Sequence, residues 1–284
     1  MLHILITGAS GYVGRNFIRL SKQKYQIHTF SLQKESLENL DLSNLDVILH
    51  CAALVHQTQP YPQDVYNHIN RDYPYELASK AKRAGVKQFV FLSTIAVYGE
   101  SETFLTEDTP CKPFTPYGKS KLEAEQKLRS LEDENFTVSI IRPPMIYGKN
   151  APGNIQTLIK LIKKAPLLPF GDIRNKRTFV YIDNLIQMID TIIEQKASGT
   201  FLAGDTTPLS TSTLIQLIAE AMDKKIILFK LPFLSIFLQK LKPSLYQKLY
   251  TNLEIDNRKT LKTLQFKNPY SPIEGIKLMI TYKS

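Results

Sequence analysis

Two side chains with the chemistry for proton transfer, Tyr117 and Lys121, stand four residues apart. Residues at this spacing share one face of a helix, so the lysine ammonium is expected to lie beside the phenol. A neighbouring positive charge lowers the pKa of a phenol, which prepares it to exchange a proton with a substrate. Because the chain has 14 tyrosines, about one such pair is expected by chance, so the interpretation depends on the surrounding motifs.

Two hydroxyl residues end a strand-like run upstream of this pair. Residues 89–92 are apolar and predict a buried strand, and Ser93 and Thr94 follow directly. A hydroxyl at the end of that strand is placed to share a substrate oxygen with Tyr117. The alternative is a surface tyrosine and lysine on an amphipathic helix, but the glycine-rich loop at the start of the chain favours catalysis.

Three glycines at three-residue spacing lie between a β-branched run at residues 3–7 and a helical pattern. Glycines in this order permit a tight turn, close approach of the backbone to a pyrophosphate, and packing of the helix on the strand. An ordinary structural turn is the weaker alternative because strand, glycines and helix follow in the required order. The predicted dinucleotide contacts are Gly8, Gly11, Tyr12, Val13 and Gly14.

The end of the second strand lacks the acid that usually binds the ribose 2′-hydroxyl of NAD. Residues 29–32 there are Thr-Phe-Ser-Leu. Ser31, Lys34 and Arg15 are compatible with a 2′-phosphate, whereas Glu35 is close enough in sequence to leave NADH open. The predicted cofactor is therefore NAD(P)H, with the balance in favour of NADPH.

Strand-like and helical patterns alternate along the first half of the chain, which predicts right-handed crossovers and an α/β fold with a doubly wound parallel sheet of the Rossmann type. Prolines and helical patterns dominate after Arg142, which predicts a smaller, mainly helical substrate-binding lobe. We expect residues 1–145 and about 178–200 to form the NAD(P)-binding domain. Residues 146–177 and about 201–284 are expected to form the interleaved lobe.

Basic residues outnumber acidic residues by 36 to 26, and the net charge of +10 favours anionic partners. The basic residues are scattered along helical patterns without a zinc-finger or RNA-binding motif, so no nucleic-acid partner is expected. No metal site and no disulfide are expected either, because histidines and cysteines lack ligand or pairing spacing. These residues are His3, His28, His50, His56, His68, Cys51 and Cys111.

The sequence contains no run of about 20 uninterrupted apolar residues, and no secretory leader precedes the first strand-like run. With the cysteine usage, these features predict a cytoplasmic chain without stable membrane insertion. The most apolar segment, residues 226–241, is interrupted by Lys230, Pro232 and Lys240 and indicates a helix pair. A peripheral role at a membrane surface stays an alternative, because the segment combines phenylalanines with lysines.

Further motifs accompany the glycine loop along nearly the whole chain. They lie at residues 41–42, 50–53, 70, 92–94, 97–99, 117–121, 142–148 and 177–183. Together they resemble those of the extended short-chain dehydrogenases that act on nucleotide sugars, often called NAD-dependent epimerase/dehydratases. The resemblance implies an NAD(P)-dependent enzyme whose substrate is a nucleotide sugar, expected to be UDP-linked.

The resemblance also implies roles for single residues. Tyr117 would donate or accept the proton, Lys121 would activate it and hold the cofactor ribose, and Thr94 would orient the reacting substrate oxygen. Asp41 and Leu42 would contact the adenine.

Asn154 and Arg177 stand where the family commonly contacts the nucleotide diphosphate, and an arginine suits a diphosphate. The alternative for these two residues is a helix N-terminal asparagine and a surface arginine. A homodimer, through the helix of Tyr117 and the helix near residues 73–84, is also implied.

The reaction is narrowed by a departure from the family pattern. Sugar 4,6-dehydratases carry Asp-Glu directly after the threonine, whereas this chain has Ile95 and Ala96, so the acid–base pair for elimination is absent. The reactions that remain need only hydride and proton transfer at C4 of the sugar. The segments at 142–148 and 168–171 resemble reductases that convert UDP-4-keto-6-deoxy-N-acetylglucosamine to UDP-N-acetylquinovosamine, which is the predicted reaction. The alternatives are an NAD-dependent nucleotide-sugar 4-epimerase and a noncatalytic NAD(P)-binding sensor.

Overall fold

Short runs of buried branched and aromatic residues form the strands of the chain. The computed structural model describes residues 1–32, 34–55, 61–100 and 103–281. In chain order the strands are β1 (His3–Thr7), β2 (Gln26–Phe30), β3 (Val47–His50), β4 (Gln88–Leu92), β5 (Phe104–Leu105), β6 (Thr137–Arg142), β7 (Ile146–Tyr147), β8 (Leu167–Leu168), β9 (Val180–Tyr181), β10 (Gly199–Leu202), β11 (Ile227–Leu228) and β12 (Glu254–Ile255).

One parallel sheet contains six of these strands, in the order β10-β6-β4-β3-β1-β2. The chain order reverses between β1 and β3, so the loops that leave their carboxyl ends diverge. In open parallel sheets the crevice at such a reversal is where ligands bind. The sheet confirms the predicted doubly wound fold of the Rossmann type.

Helices cover the sheet and extend beyond it. They are α1 (Tyr12–Ser21), α2 (Gln63–Asn67), α3 (Tyr73–Arg83), α4 (Pro116–Arg129), α5 (Asn154–Lys164), α6 (Ile182–Gln195), α7 (Thr211–Ala221), α8 (Leu234–Leu241), α9 (Pro243–Tyr250), α10 (Arg258–Thr263) and α11 (Pro272–Thr281). A π-helical turn, His68–Asp72, joins α2 to α3 without a break in the chain's helical course.

Alternating residues of β1 enter two different cores, as the period of a strand requires. Ile4 and Ile6 belong to the core that includes residues of α1 and α6. Leu5 belongs to the core on the other face, with residues of α3 and α4. Both faces of the sheet are therefore covered by helices, which explains why its strands are apolar along most of their length.

The later helices share the first of these cores rather than forming one of their own. Residues of α7 and α11 pack in the same cluster as Ile4 and Ile6 of β1. The buried carboxylate of Asp205 fixes this region to the sheet: it accepts hydrogen bonds from the Tyr147 hydroxyl (2.7 Å), the Asn184 amide (2.8 Å) and the Tyr181 backbone N–H (3.1 Å).

A buried ion pair fixes α4 across the ends of β4 and β6. The Glu125 carboxylate accepts two hydrogen bonds from the Arg142 guanidinium, at 3.0 and 2.5 Å, and a third from the Ser93 hydroxyl at 2.5 Å. Arg142 also donates to the Tyr98 hydroxyl at 2.8 Å. Each partner comes from a different element, so the network sets the position of α4 on the sheet.

Among the described residues, no helix has both the length and the apolar character needed to cross a bilayer.

We expect Arg142→Met to lower the free energy of unfolding by about 3–5 kcal/mol, because Glu125 would remain buried without its cation. Urea denaturation followed by circular dichroism measures the change. The double variant with Glu125→Gln is expected to recover part of the loss, since no buried charge remains. Arg258→Met, which removes a largely exposed arginine paired with Asp256, serves as the control with little change. An equal loss of unfolding free energy in Arg142→Met and Arg258→Met would contradict the role given to the buried pair.

Candidate active site

The carboxyl end of β4 supplies the first residue of the candidate site. After Ser93 the chain turns at Thr94, whose hydroxyl accepts a hydrogen bond from the Ala96 backbone N–H at 3.2 Å and caps the 3-10 turn Ile95–Tyr98. Ser93 points away from this turn, because its hydroxyl donates to the buried Glu125. Of the two adjacent hydroxyl residues, only Thr94 therefore has its side chain at the start of the turn.

The first turn of α4 carries Tyr117 to this strand end. Thr115 caps the helix by accepting a hydrogen bond from the Gly118 backbone N–H at 3.1 Å. Pro116 occupies the first turn, where a backbone N–H has no partner within the helix, so the missing N–H of proline costs no hydrogen bond. Gly118 permits close contact, since a Cβ there would stand 2.6 Å from the carbonyl oxygen of Ala96. As a result, the Tyr117 hydroxyl comes close enough to Thr94 for that side chain to counteract part of the rise in the pKa of the phenol.

Burial raises the pKa of the Tyr117 phenol to about 12, and the Thr94 side chain offsets part of this rise. The direction is opposite to the expectation that the neighbouring Lys121 charge lowers this pKa. The reason is that burial disfavours the charged phenolate. Formation of the phenolate at neutral pH therefore needs a further positive charge beside Tyr117.

Lys121 lies one turn further along α4 and is almost fully buried. Its Nζ has no hydrogen-bond partner among the described residues and stands 4.0 Å from the centroid of the Phe91 ring. Burial lowers the pKa of Lys121 to about 7, although Glu125 and Cys51 act in the opposite direction. A buried ammonium with unused donors fits the hydroxyl groups of a cofactor ribose.

The three glycines of the loop after β1 meet different constraints. Gly8 has a φ of +76°, and a Cβ there would stand 2.5 Å from the Ala52 backbone nitrogen. At Gly14 a Cβ would stand 2.4 Å from the Gly8 carbonyl oxygen, so this glycine lets α1 pack on the loop. Gly11 is exposed with an ordinary φ of −72°, and only the Gly8 oxygen, 3.0 Å from its ideal Cβ, limits it. The fold therefore explains Gly8 and Gly14, whereas Gly11 suits the close approach of a ligand.

Tyr12 and Val13 begin α1 directly after this loop. Val13 is buried in the core, whereas the Tyr12 hydroxyl is buried without a hydrogen-bond partner among the described residues. Burial also raises the pKa of Tyr12. Their predicted contribution to cofactor binding is through backbone N–H groups at the helix N-terminus.

The residues predicted to contact the adenosine lie near the ends of β2 and β3. Leu42 is buried in the second core, and the exposed Asp41 carboxylate accepts a hydrogen bond from the Ser43 backbone N–H at 2.8 Å. At the end of β2, the Glu35 carboxylate accepts a hydrogen bond from the Ser31 backbone N–H at 3.2 Å. The turn therefore places the Glu35 carboxylate at the end of β2, where the sequence itself has no acidic residue.

The two residues predicted to contact a diphosphate lie elsewhere in the fold. Asn154 is the exposed first residue of α5. The Arg177 guanidinium donates to the carbonyl oxygens of Gln247 and Thr251, both at 3.1 Å, at the end of α9. Burial lowers the pKa of Arg177. No hydrogen bond described in the structure joins either residue to Tyr117, so their substrate role stays a prediction.

Sequence reasoning missed two buried groups beside this site. Glu125 stands four residues after Lys121, a spacing that places it on the same helix face. His50, at the end of β3, is held by a 2.8 Å hydrogen bond between its Nδ1 and the Thr7 hydroxyl and lies against the rings of Phe89 and Phe91. Burial and the charge of Lys121 lower the pKa of His50 to about 3.

Across the described ranges, no group of three or more His, Cys, Asp or Glu side chains is arranged to hold a metal ion. His56, one of the five histidines in the sequence, lies outside the residues that the structure describes.

Comparison with known proteins places this geometry in a family. A sequence model of the NAD dependent epimerase/dehydratase family matches residues 4–204, which is most of the chain. The chain belongs to this family. The membership confirms the resemblance stated from the motifs and identifies the chain as an NAD(P)-dependent enzyme of the extended short-chain dehydrogenase type.

Two curated members of the family are similar to the chain over most of their lengths. UDP-glucose 4-epimerase from Vibrio cholerae is 33% identical, with 96% of this chain and 93% of that protein covered. N-acetyl-alpha-D-glucosaminyl-diphospho-ditrans,octacis-undecaprenol 4-epimerase from Escherichia coli O157:H7 is 27% identical, with 81% and 76% covered.

Solved structures of the family show the same fold. UDP-glucuronic acid 4-epimerase from Bacillus cereus, in complex with NAD, superimposes with a TM-score of 0.78 at 22% identity, over 99% of this chain and 98% of that one. UDP-N-acetylglucosamine 4-epimerase from Methanobrevibacter ruminantium M1 gives a TM-score of 0.79 at 19% identity, over 99% and 97%.

The predicted reduction of a 4-keto sugar is wrong, because these relatives are named 4-epimerases. The structure shows why residues 142–148 misled the interpretation. Arg142 is committed to the buried pair with Glu125, and the Tyr147 hydroxyl is bound to Asp205. In this chain these side chains serve internal packing, so their resemblance to one subgroup carries no information on the substrate.

We expect Gly11→Ala to weaken dinucleotide binding by about tenfold or more while the chain stays folded, because the added methyl faces the expected path of the pyrophosphate. Gly14→Ala is the contrasting variant: its methyl would overlap the Gly8 carbonyl, so a loss of stability is expected. Titration calorimetry with NAD and thermal denaturation separate the two effects. Unchanged affinity in a folded Gly11→Ala variant would show that the loop is only a turn.

Proposed function

We propose that this chain is an NAD-dependent 4-epimerase of UDP-linked sugars. The observation that carries the proposal is the proximity of Thr94, at the end of β4, to Tyr117, which lies on the same helix as the buried Lys121. Ile95 and Ala96 follow Thr94, so these groups support hydride and proton transfer but not elimination of water. Similarity to the Vibrio cholerae UDP-glucose 4-epimerase over nearly the full length supports the same reaction.

Tyr117 takes the proton from the sugar 4-hydroxyl and later returns it to the ketone oxygen. Thr94 holds that oxygen in line with the phenol, and Lys121 uses its free donors to hold the cofactor ribose. A bound NAD would supply the acceptor and donor of the C4 hydride, and the positive charge of its oxidised nicotinamide ring would favour ionisation of Tyr117. No cofactor is consumed, because the hydride and the proton both return to the sugar.

Inversion at C4 requires that the hydride return to the opposite face of the ketone. The sugar must therefore turn within the site while the rest of the substrate stays bound. We place the fixed anchor at the diphosphate, with Asn154 and Arg177 as its contacts, since a guanidinium binds phosphate oxygens strongly. Hydrogen bonds to the carbonyl oxygens of Gln247 and Thr251 hold one nitrogen of the Arg177 guanidinium in place.

NAD is our proposed cofactor, in place of the NADPH favoured by the sequence. An epimerase has no need to exchange its cofactor, which removes one reason for NADPH. The second reason for NADPH was the missing acid at the end of the second strand. Glu35 removes that reason, because its carboxylate lies at the end of β2 beside the Ser31 backbone N–H. A carboxylate there accepts a hydrogen bond from a ribose 2′-hydroxyl and repels a 2′-phosphate.

A second substrate class shares the same reacting group. The Escherichia coli relative is named for a sugar joined through diphosphate to undecaprenol. The observation that favours this class is the exposure of large apolar side chains on and directly before α8, including Phe233, Ile236 and Phe237.

The homodimer implied by the family resemblance also stays a proposal, for which sedimentation velocity is the test.

Incubation with UDP-glucose or UDP-N-acetylglucosamine alone is expected to yield the 4-epimer without added NADH or NADPH. Tyr117→Phe is expected to lower turnover by roughly 10²–10⁴-fold while cofactor content is kept, because only the ionisable oxygen is lost. Nuclear magnetic resonance of the products and cofactor release by acid measure the two effects. Tyr75→Phe, on α3, removes one hydroxyl outside the site and is the control. If neither the UDP-sugars nor a polyprenyl-diphosphate sugar is epimerised, the proposal is wrong.

Glu35→Gln is expected to raise the affinity for NADP by about tenfold, because it removes a like charge from the 2′-phosphate, and to lower the affinity for NAD. Glu38→Gln removes the same charge three residues along and is the matched control. Titration calorimetry with both cofactors measures the ratio. An equal shift in both variants would mean that overall charge, and not Glu35, sets the preference.

A further inference from the structure

The helix pair α8–α9 presents its apolar residues to solvent. Within α8 only Leu238 is buried, and α9 has no buried residue. In most surface helices the apolar side chains are confined to the stripe that faces the core, whereas α8 carries exposed apolar residues as well as the buried Leu238. Large contiguous apolar surfaces of this kind mark sites of interaction rather than ordinary exposure.

The exposed apolar residues follow helical spacing and therefore form one continuous stripe. Phe233, Ile236, Phe237 and Leu241 recur at intervals of three and four, and each is at least half exposed. Leu245, in the separate helix α9, is also exposed. Ile227 and Phe229, in and directly after β11, add exposed apolar side chains next to it in sequence.

Phe233 is the most prominent residue of this surface. It precedes α8 with a φ of +64°, a left-handed conformation that is unfavourable for a bulky side chain. Its side chain is 78% exposed. Neither the backbone nor the core gains from a phenylalanine here, so its role lies outside the chain's own fold.

The charges around the stripe have one sign. Between Asp223 and Glu254 the sequence contains six lysines and no acidic residue. One of these lysines, Lys230, pairs at 3.4 Å with Asp172 of another element, which also pairs with Arg174 at 2.7 Å. The lysines of this segment are Lys224, Lys225, Lys230, Lys240, Lys242 and Lys248.

We propose that the α8–α9 surface docks onto an anionic lipid bilayer. Apolar side chains on one face of a short helix enter the boundary between headgroups and acyl chains, and flanking lysines bind the anionic headgroups. Long lysine side chains suit this position, because their stems cover apolar surface while the ammonium reaches the headgroups. The helices lie in the plane of the interface and do not cross the bilayer.

Charge decides between a bilayer and a second copy of the chain. A two-fold dimer through this surface would bring the same lysines of both copies together without an acid to pair with them. An anionic bilayer neutralises them instead. The proposal is independent of the epimerase reaction, since it rests on residues that take no part in the proposed chemistry.

Flotation of the full-length protein with vesicles tests the proposal. The protein is expected to float with phosphatidylcholine vesicles that contain phosphatidylglycerol. With vesicles of phosphatidylcholine alone, or in high salt, it is expected to remain in the bottom fraction of the gradient. The paired change Lys240→Glu and Lys242→Glu is expected to lower the bound-to-free ratio by about tenfold or more. Lys267→Glu with Lys277→Glu, which makes the same charge change on exposed positions outside the segment, is the matched control.

A fluorescent reporter locates the contact, because the chain contains no tryptophan. Phe233→Trp is expected to shift its emission to shorter wavelength with anionic vesicles and to be quenched by brominated lipids. Phe104→Trp, at another exposed phenylalanine outside this surface, is expected to do neither. Phe233→Ser with Phe237→Ser should abolish flotation and leave turnover of a water-soluble UDP-sugar unchanged.

Three results would overturn the proposal. The first is that the protein does not float with anionic vesicles. The second is that the serine and glutamate variants float as well as the unmodified protein. The third is a dimer in sedimentation velocity that the paired serine variant converts to monomers without any vesicle binding, which would assign the surface to self-association.

Discussion

The buried carboxylate of Glu125 is the constraint on which the candidate site depends. It is held by the Arg142 guanidinium and the Ser93 hydroxyl, so α4 is tied to the ends of two neighbouring strands. Lys121 lies one turn before this carboxylate on the same helix, and Tyr117 lies two turns before it. A small rotation of α4 would carry Tyr117 away from Thr94. A buried carboxylate that accepts three hydrogen bonds, two from Arg142 and one from Ser93, prevents that rotation better than apolar packing alone, because hydrogen bonds fix orientation.

Much of the fold could be predicted from the sequence because its signals are local. The apolar run at residues 89–92 lies in β4 (Gln88–Leu92), and the β-branched run at residues 3–7 is β1 (His3–Thr7). Buried parallel strands leave nearly continuous apolar runs, and amphipathic helices leave a periodic pattern. The glycine loop was visible for the same reason, since strand, turn and helix follow one another within about 20 residues.

The parts that could not be predicted depend on contacts between distant residues. Glu125 accepts hydrogen bonds from Arg142, 17 residues away in the sequence, and Asp205 accepts one from Tyr147, 58 residues away. Neither acid has a local pattern that separates it from a surface residue. The choice of reaction failed for a related reason, because oxidation with inversion and net reduction use the same hydroxyl, phenol and ammonium. What separates them is how freely the sugar turns in the site, and no short motif encodes that freedom.

The unsatisfied Nζ of Lys121 also has a consequence for the behaviour of the purified protein. An ammonium buried without a hydrogen-bond partner costs a few kcal/mol relative to one in water. A ligand that supplies the missing acceptor removes this cost, which lowers its Kd, and its binding stabilises the folded state by RT ln(1 + [L]/Kd). The cofactor therefore acts as a structural element as well as a reagent. Dilution or dialysis that removes it should make the chain melt earlier and aggregate sooner, an apparent fragility that belongs to the cofactor-free form alone.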